Sequence, residues 1–202
     1  MTRLYVPHFN AMPEDDVRAF VAAVGTAQVV TVAEDGTPDA TLLPVLWDGD
    51  RLLGHFARAN RHWQRIADGA AVLAVVTGPD AYVSPGWYAT KREHGKVVPT
   101  WNYSAVHLRG TATVRDDADF LRDVVTRLTE AHEADRDQPW AVTDAPEDYL
   151  TKQLRAIVGL EIRVEEVEAK AKLSQNRSAE DRAGVATGLR EQGHDPDGLV
   201  AP

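Results

Sequence analysis

The sequence predicts an α+β protein of six or so antiparallel strands with helices inserted between them. Three observations carry this. Between residues 27 and 56, three β-branched or apolar runs are separated only by tight polar turns. Segments 13–24 and 117–134 instead repeat their apolar residues at helical spacing. Further apolar runs at 71–77, 105–114 and 158–164 return the chain to the sheet. Strand number and short turns predict closure into a small barrel, with a flat sheet covered on one face as the alternative.

The first helix is read from Pro13, the acidic Glu14, Asp15 and Asp16 where the helix dipole favours them, and Val17, Phe20, Val21 and Val24, with Gly25 as its stop. Strands follow at 27–32, 40–47 and 51–56, joined by the turns 34–38 and 48–50. Asn60 is a good cap for a short helix at 61–67. Residues 71–77 are nearly all apolar and predict a strand buried on both faces. The strand at 105–114 carries Gly110 as a candidate bulge. Phe120, Leu121, Val124, Val125 and Leu128 mark the long helix, 135–146 reads as a loop, and 149–156 as a short helix. The expected division is a barrel domain at 1–168 and a C-terminal helical tail at 169–202, frayed from residue 192.

Composition narrows the function. A chain of 202 residues, 44% hydrophobic and 26% charged, is long enough for a substantial core. It contains no cysteine, which excludes disulfides, thiolate nucleophiles and cysteine-ligated metal. Its net charge of −9 opposes attraction to phosphate backbones, so direct contact with nucleic acid is not expected. No apolar run approaches the length of a bilayer span and the N-terminus lacks a secretory pattern, so a cytoplasmic protein is expected.

Two regions have the composition of a binding site. Residues 78–104 set Trp87, Tyr88, Trp101 and Tyr103 among prolines and glycines, with Lys91, Thr100 and Asn102 as donors. Flat aromatic faces with a few aimed polar groups suit a planar polar ligand; the plainer reading makes each aromatic a core or interface anchor. The stretch 55–63, HFARANRHW, places Arg58, Arg61 and His62 at a helix start and reads as a phosphate cradle or as a solvated basic loop capped by Asn60. The tail motif 172–177, KLSQNR, offers Lys172, Gln175 and Arg177 to close such a site, or is a helix cap using Ser174 or Ser178. The seven histidines show no HExxH spacing, so no metal is expected. His55, His62 and His107 are the candidates for a single haem ligand. There is no nucleophile elbow, P-loop or GxGxxG.

The strings LYVPHF, ATLLP, HFARAN, GPDAYVSPGWYATK, VPTWNYSAVHLRG, AIVGLEI and KLSQNR, in this order over nearly the whole chain, resemble signatures of the PaiB family, the FMN-binding negative transcriptional regulators. One departure is Arg61, where the family continues HFARAN with proline. The resemblance implies a split β-barrel related to pyridoxamine-phosphate-oxidase-like flavoproteins, a homodimer, and FMN at the subunit interface. It implies Thr41 and Leu43 along the cofactor, Arg58, Asn60 and His62 near its phosphate, and Trp87, Lys91, Thr100, Trp101 and Asn102 around its ring. Lys172, Gln175 and Arg177 would cap the pocket. The functions weighed are a flavin-binding regulator acting indirectly, a flavin-dependent oxidoreductase or biosynthetic tailoring enzyme on a small molecule, and a haem-binding split barrel.

Overall fold

The computed structural model describes residues 4–201; the outermost ends of the expected domain and tail, 1–3 and 202, lie outside the described residues. The elements are α1 (Glu14–Val24), β1 (Thr26–Val32), β2 (Pro38–Asp48), β3 (Arg51–Ala57), β4 (Ala70–Val83), α2 (Thr90–His94), β5 (Thr100–Arg115), α3 (Ala118–Glu133), α4 (Glu147–Leu154), β6 (Ile157–Lys172) and α5 (Ala179–Glu191). Short 3-10 turns lie at His8–Asn10, Arg61–Arg65, Pro85–Trp87 and Val142–Asp144. The six strands close a barrel in the order β1-β2-β3-β6-β5-β4, the split-barrel α+β class that the sequence predicts. β1 pairs antiparallel with β2 (Val29 opposite Thr41) and with β4 (Val30 opposite Leu73), and β3 pairs antiparallel with β6 (Phe56 opposite Val158).

The chain divides into two compact units: residues 4–20, 77–106 and 168–201 form unit one, and Val21–Val76 with His107–Val167 form unit two. In unit two the inward side chains of paired strands are apolar and buried, among them Val29, Leu43, Val45, Leu52, Phe56, Val158, Leu160 and Ile162. This is the strand period of two expressed as a core. On the outside of β3, Leu53 packs with Val124 and Leu128 of α3, the apolar stripe that the helical spacing predicts. Asp117 caps α3 by accepting from Phe120 N at 2.8 Å. Gly110 is required by close approach, since a Cβ there would lie 1.8 Å from the Arg163 carbonyl oxygen.

Unit one has its own core of Ala81, Val83, Tyr88, Val185, Leu189 and Leu199. It corrects several expectations. The aromatic segment is not irregular throughout: β4 continues to Val83 and β5 begins at Thr100. β6 runs to Lys172, well beyond the expected end at residue 164. The stretch from residue 192 is not frayed, because Leu199 is buried in the core, its carbonyl accepts from Asn102 Nδ2 at 2.8 Å, and Ala201 N donates to Leu173 O at 2.9 Å. In unit two, the helix expected at 61–67 is a 3-10 turn over Arg61–Arg65. The strand expected to be buried on both faces alternates instead, with Val72, Ala74 and Val76 buried and Leu73 and Val75 half-buried.

Candidate functional site: a cationic cavity in unit one

The tail motif is a turn that exports cations. Lys170 and Lys172 lie two residues apart on β6, so the strand period sends both to one face. After Lys172 the chain reverses through Ser174, a non-glycine residue at φ 64°. Gln175 secures this turn by accepting from Leu173 N at 2.7 Å and donating to the Ala171 carbonyl. Arg177 follows, and Ser178 caps α5 by accepting from Asp181 N at 3.2 Å. Asp181 in turn accepts from the backbone N and the hydroxyl of Thr90, fixing the start of α2.

These cations face a cavity of about 480 Å³. Lys172 Nζ donates to Thr100 Oγ1. The Arg177 guanidinium lies 4.5 Å from the Tyr88 ring centre, and Lys170 Nζ lies 5.2 Å from that of Tyr103 and 5.7 Å from that of Tyr5. Asn102 is fully buried and held by bonds to Ser174 Oγ (3.0 Å) and Leu199 O. No aspartate or glutamate lines the cavity. The other three described cavities each contain carboxylates: Asp116 and Asp119, Glu130 and Glu133, or Glu34 and Asp35. Tyr88 also lines the cationic cavity, and its buried hydroxyl has no hydrogen-bond partner among the described residues.

Of the residues singled out in the sequence, Thr100, Asn102, Lys172 and Arg177 meet in this wall. Tyr88, Tyr103 and Ser174 line it too, whereas Trp87, Lys91, Trp101, Gln175 and Ser178 do not. Trp87 packs against α5, Lys91 is exposed on α2, and Trp101 is 52% exposed with its ring against Tyr82. Gln175 shapes the turn without lining the cavity. Asn10, Lys170 and Tyr5 were not singled out; the alternation in residues 168–172, EAKAK, was the signal that Lys170 shares a face with Lys172.

In unit two, Thr41, Asn60 and His62 come together, but bonded to one another. The His62 ring nitrogens meet Thr31 Oγ1 and Thr41 Oγ1, both at 2.9 Å, Asn60 Nδ2 donates to Thr41 Oγ1 at 3.2 Å, and Asn60 Oδ1 accepts from His62 N at 3.0 Å. Burial lowers the His62 pKa below its ordinary value, with Arg65 acting the same way and Asp39 opposing. Leu43 is a core residue. Arg58, expected beside a phosphate, instead grips Asp116 through two nitrogens and donates to the carbonyls of Arg155 (2.8 Å) and Ile157 (2.9 Å). Hydrogen bonding to Arg58 holds the Asp116 carboxyl below the usual range. Its donors are therefore largely engaged within the chain. Groups of three or more metal-ligating side chains are absent among the described residues, and no histidine lines any of the four cavities.

Residues 4–166 match the family described as "Putative FMN-binding domain". Among characterised sequences, the chain is 36% identical over 194 residues to the protease synthase and sporulation protein PAI 2 of Bacillus subtilis, covering 94% of this chain and 90% of that one. Among solved structures, the FAD and haem binding protein of Mycobacterium smegmatis superposes with a TM-score of 0.63 at 20% identity, covering 90% of this chain and 80% of that one. A conserved hypothetical protein of Mycobacterium tuberculosis superposes at 0.61 with 14% identity, covering 85% and 92%. At these identities the two structures show a shared fold.

Proposed function

Because the chain belongs to the PaiB family of FMN-binding domains, and FMN is therefore its cofactor, we propose that the cationic cavity of unit one holds that cofactor in a homodimeric flavoprotein. The observation that carries this reading is a wall with three cations and no carboxylate in a chain of net charge −9. Lys170, Lys172 and Arg177 form no ion pair among the described residues, whereas Arg58, Arg65, Arg115, Arg122 and Arg127 all do. Cations gathered without internal counter-charges favour an anion from outside, and a phosphate monoester meets that need.

The donor set fits the cofactor. Lys172 and Arg177 would hold the phosphate, and the tyrosine faces suit a planar ring. FMN, once bound, supplies redox chemistry that the side chains here do not. What the chain contributes is binding, orientation and a positive local field. Titration of the apoprotein with FMN and with riboflavin, followed by flavin fluorescence, tests this. FMN should bind at least tenfold tighter than riboflavin, and Arg177→Met should reduce FMN affinity by about tenfold or more, the worth of one charge-assisted bond. Equal affinity for the two flavins, or an Arg177→Met protein that binds FMN like the parent, overturns the assignment.

The dimer is supported by the outer face of β4-β1-β2 in unit two. Val30, Val32, Ala40, Leu42, Pro44, Leu73 and Val75 point away from the barrel interior, with Val32 60% and Leu42 61% exposed. A self-complementary apolar sheet face suits a second copy related by a two-fold axis. The negative charge and the small-molecule scale of the cavity favour an influence on transcription that is indirect. None of the described helices is long and apolar enough to cross a membrane. A flavin-dependent oxidoreductase is a second reading, favoured by polar groups in the cavity that one phosphate does not use.

A further inference from the structure

We propose that the end of this cavity built from Lys170, Asn10, Tyr5 and Tyr103 is a second subsite, which takes the carboxylate of a small planar organic acid beside the cofactor. The proposal rests on the assignment of FMN to the same cavity.

Lys170 is only 8% exposed, yet its ammonium faces two tyrosine rings and no carboxylate among the described residues. A lysine so far withdrawn from water ordinarily pairs with an acid or extends its tip to solvent. Asn10 is 4% exposed and lines the cavity, and its side-chain amide makes no hydrogen bond among the described residues. Its amide atoms are not among those sealed from solvent, so they open on the cavity, where a ligand can reach them. The two groups are brought together by the backbone: Ala11 bridges to Lys170, and Met12 N donates to Ala169 O at 3.3 Å. The N-terminal segment thus lays Asn10 alongside the β6 lysine.

Charge separates this subsite from the phosphate grip. A phosphate monoester carries roughly two negative charges at neutral pH, which Lys172 and Arg177 match, leaving Lys170 over. A single ammonium with an adjacent amide donor suits a singly charged carboxylate, whereas the forked recognition of a phosphate calls on arginine. Tyr5 and Tyr103 flank the ammonium with ring faces on which a planar acid can pack.

The test uses the FMN-loaded protein and the pair benzoate and benzamide, read by the difference spectrum of the flavin. Benzoate should perturb the spectrum saturably and bind about tenfold or more tighter than benzamide. Lys170→Met should weaken benzoate about tenfold while FMN affinity stays within about twofold, and Asn10→Asp, which plants a carboxylate beside the lysine, should weaken benzoate at least as much. Equal binding of the two probes, or none, overturns the subsite. So does a Lys170→Met protein that loses FMN as readily as Arg177→Met, which would make Lys170 part of the phosphate grip and leave the cofactor assignment standing. If Arg177→Met leaves FMN bound as in the parent, the cofactor assignment fails and takes with it the placement of the acid beside the flavin.

Discussion

His62 shows how a residue type can be legible while its role is not. The stretch HFARAN followed by Arg61 and His62 has the composition of an anion site, but its hydrogen-bond partners lie far away in sequence: Thr31 for His62, Asp116 for Arg58. Composition shows donors; it does not show what they are already bound to. Both ring nitrogens of His62 meet threonine hydroxyls, and burial lowers the pKa of His62 and of His55 alike. The unfolded chain therefore takes up protons first. Stability from these groups is complete above about pH 6.5 and declines as the pH falls from there toward the lowered native values. Urea midpoints should be lower at pH 5.5 than at pH 7.5. His62→Asn should lose roughly 2 kcal/mol at pH 7.5, from the truncated ring and a stranded Thr31 hydroxyl, and show a shallower acid dependence. A midpoint indifferent to pH over this interval would contradict the account.

Among the elements, α5 has the most specific seat. Gly184 and Gly188, one turn apart, admit Trp87: a Cβ at Gly188 would lie 2.3 Å from the indole, and one at Gly184 would lie 2.1 Å from the Trp87 carbonyl oxygen. Replacing a helical glycine with alanine ordinarily favours the helix by about 1 kcal/mol. Here Gly188→Ala should instead lower the melting temperature, because overpacking costs about 1–3 kcal/mol and displaces α5 from the core of unit one. An unchanged or raised melting temperature would show that the groove is looser than its geometry. Helices α1, α3 and α4 and the first three strands were legible because their periods are uninterrupted and their turns carry strong signals. The far ends of β4, β5 and β6 were not. Pro79, Pro99 and the charged run after residue 164 obscure the alternation, and the sheet holds them extended regardless of local preference. The cavity was legible through Thr100, Asn102, Lys172 and Arg177, while Asn10 could not be associated with β6 before the Ala11–Lys170 bridge was known.

For the whole molecule, the outward face of β4-β1-β2 sets the expected assembly. Leu42→Glu places a charge at the middle of that face without touching the barrel interior, so the variant should fold normally and sediment as a monomer where the parent sediments as a dimer. A parent that sediments as a monomer, or a variant that remains dimeric, would refute the face. Charge also acts at this scale, since a chain with 31 acidic and 22 basic side chains keeps every carboxylate out of one cavity wall. Asn10, Asn102 and Asn176 stand in that wall, and each differs from aspartate by a single amide nitrogen. Deamidation of Asn10 would install a fixed anion next to Lys170 with scarcely any change in shape. An aged sample could thus seal its own binding site with an internal ion pair while its outline stayed that of fresh protein.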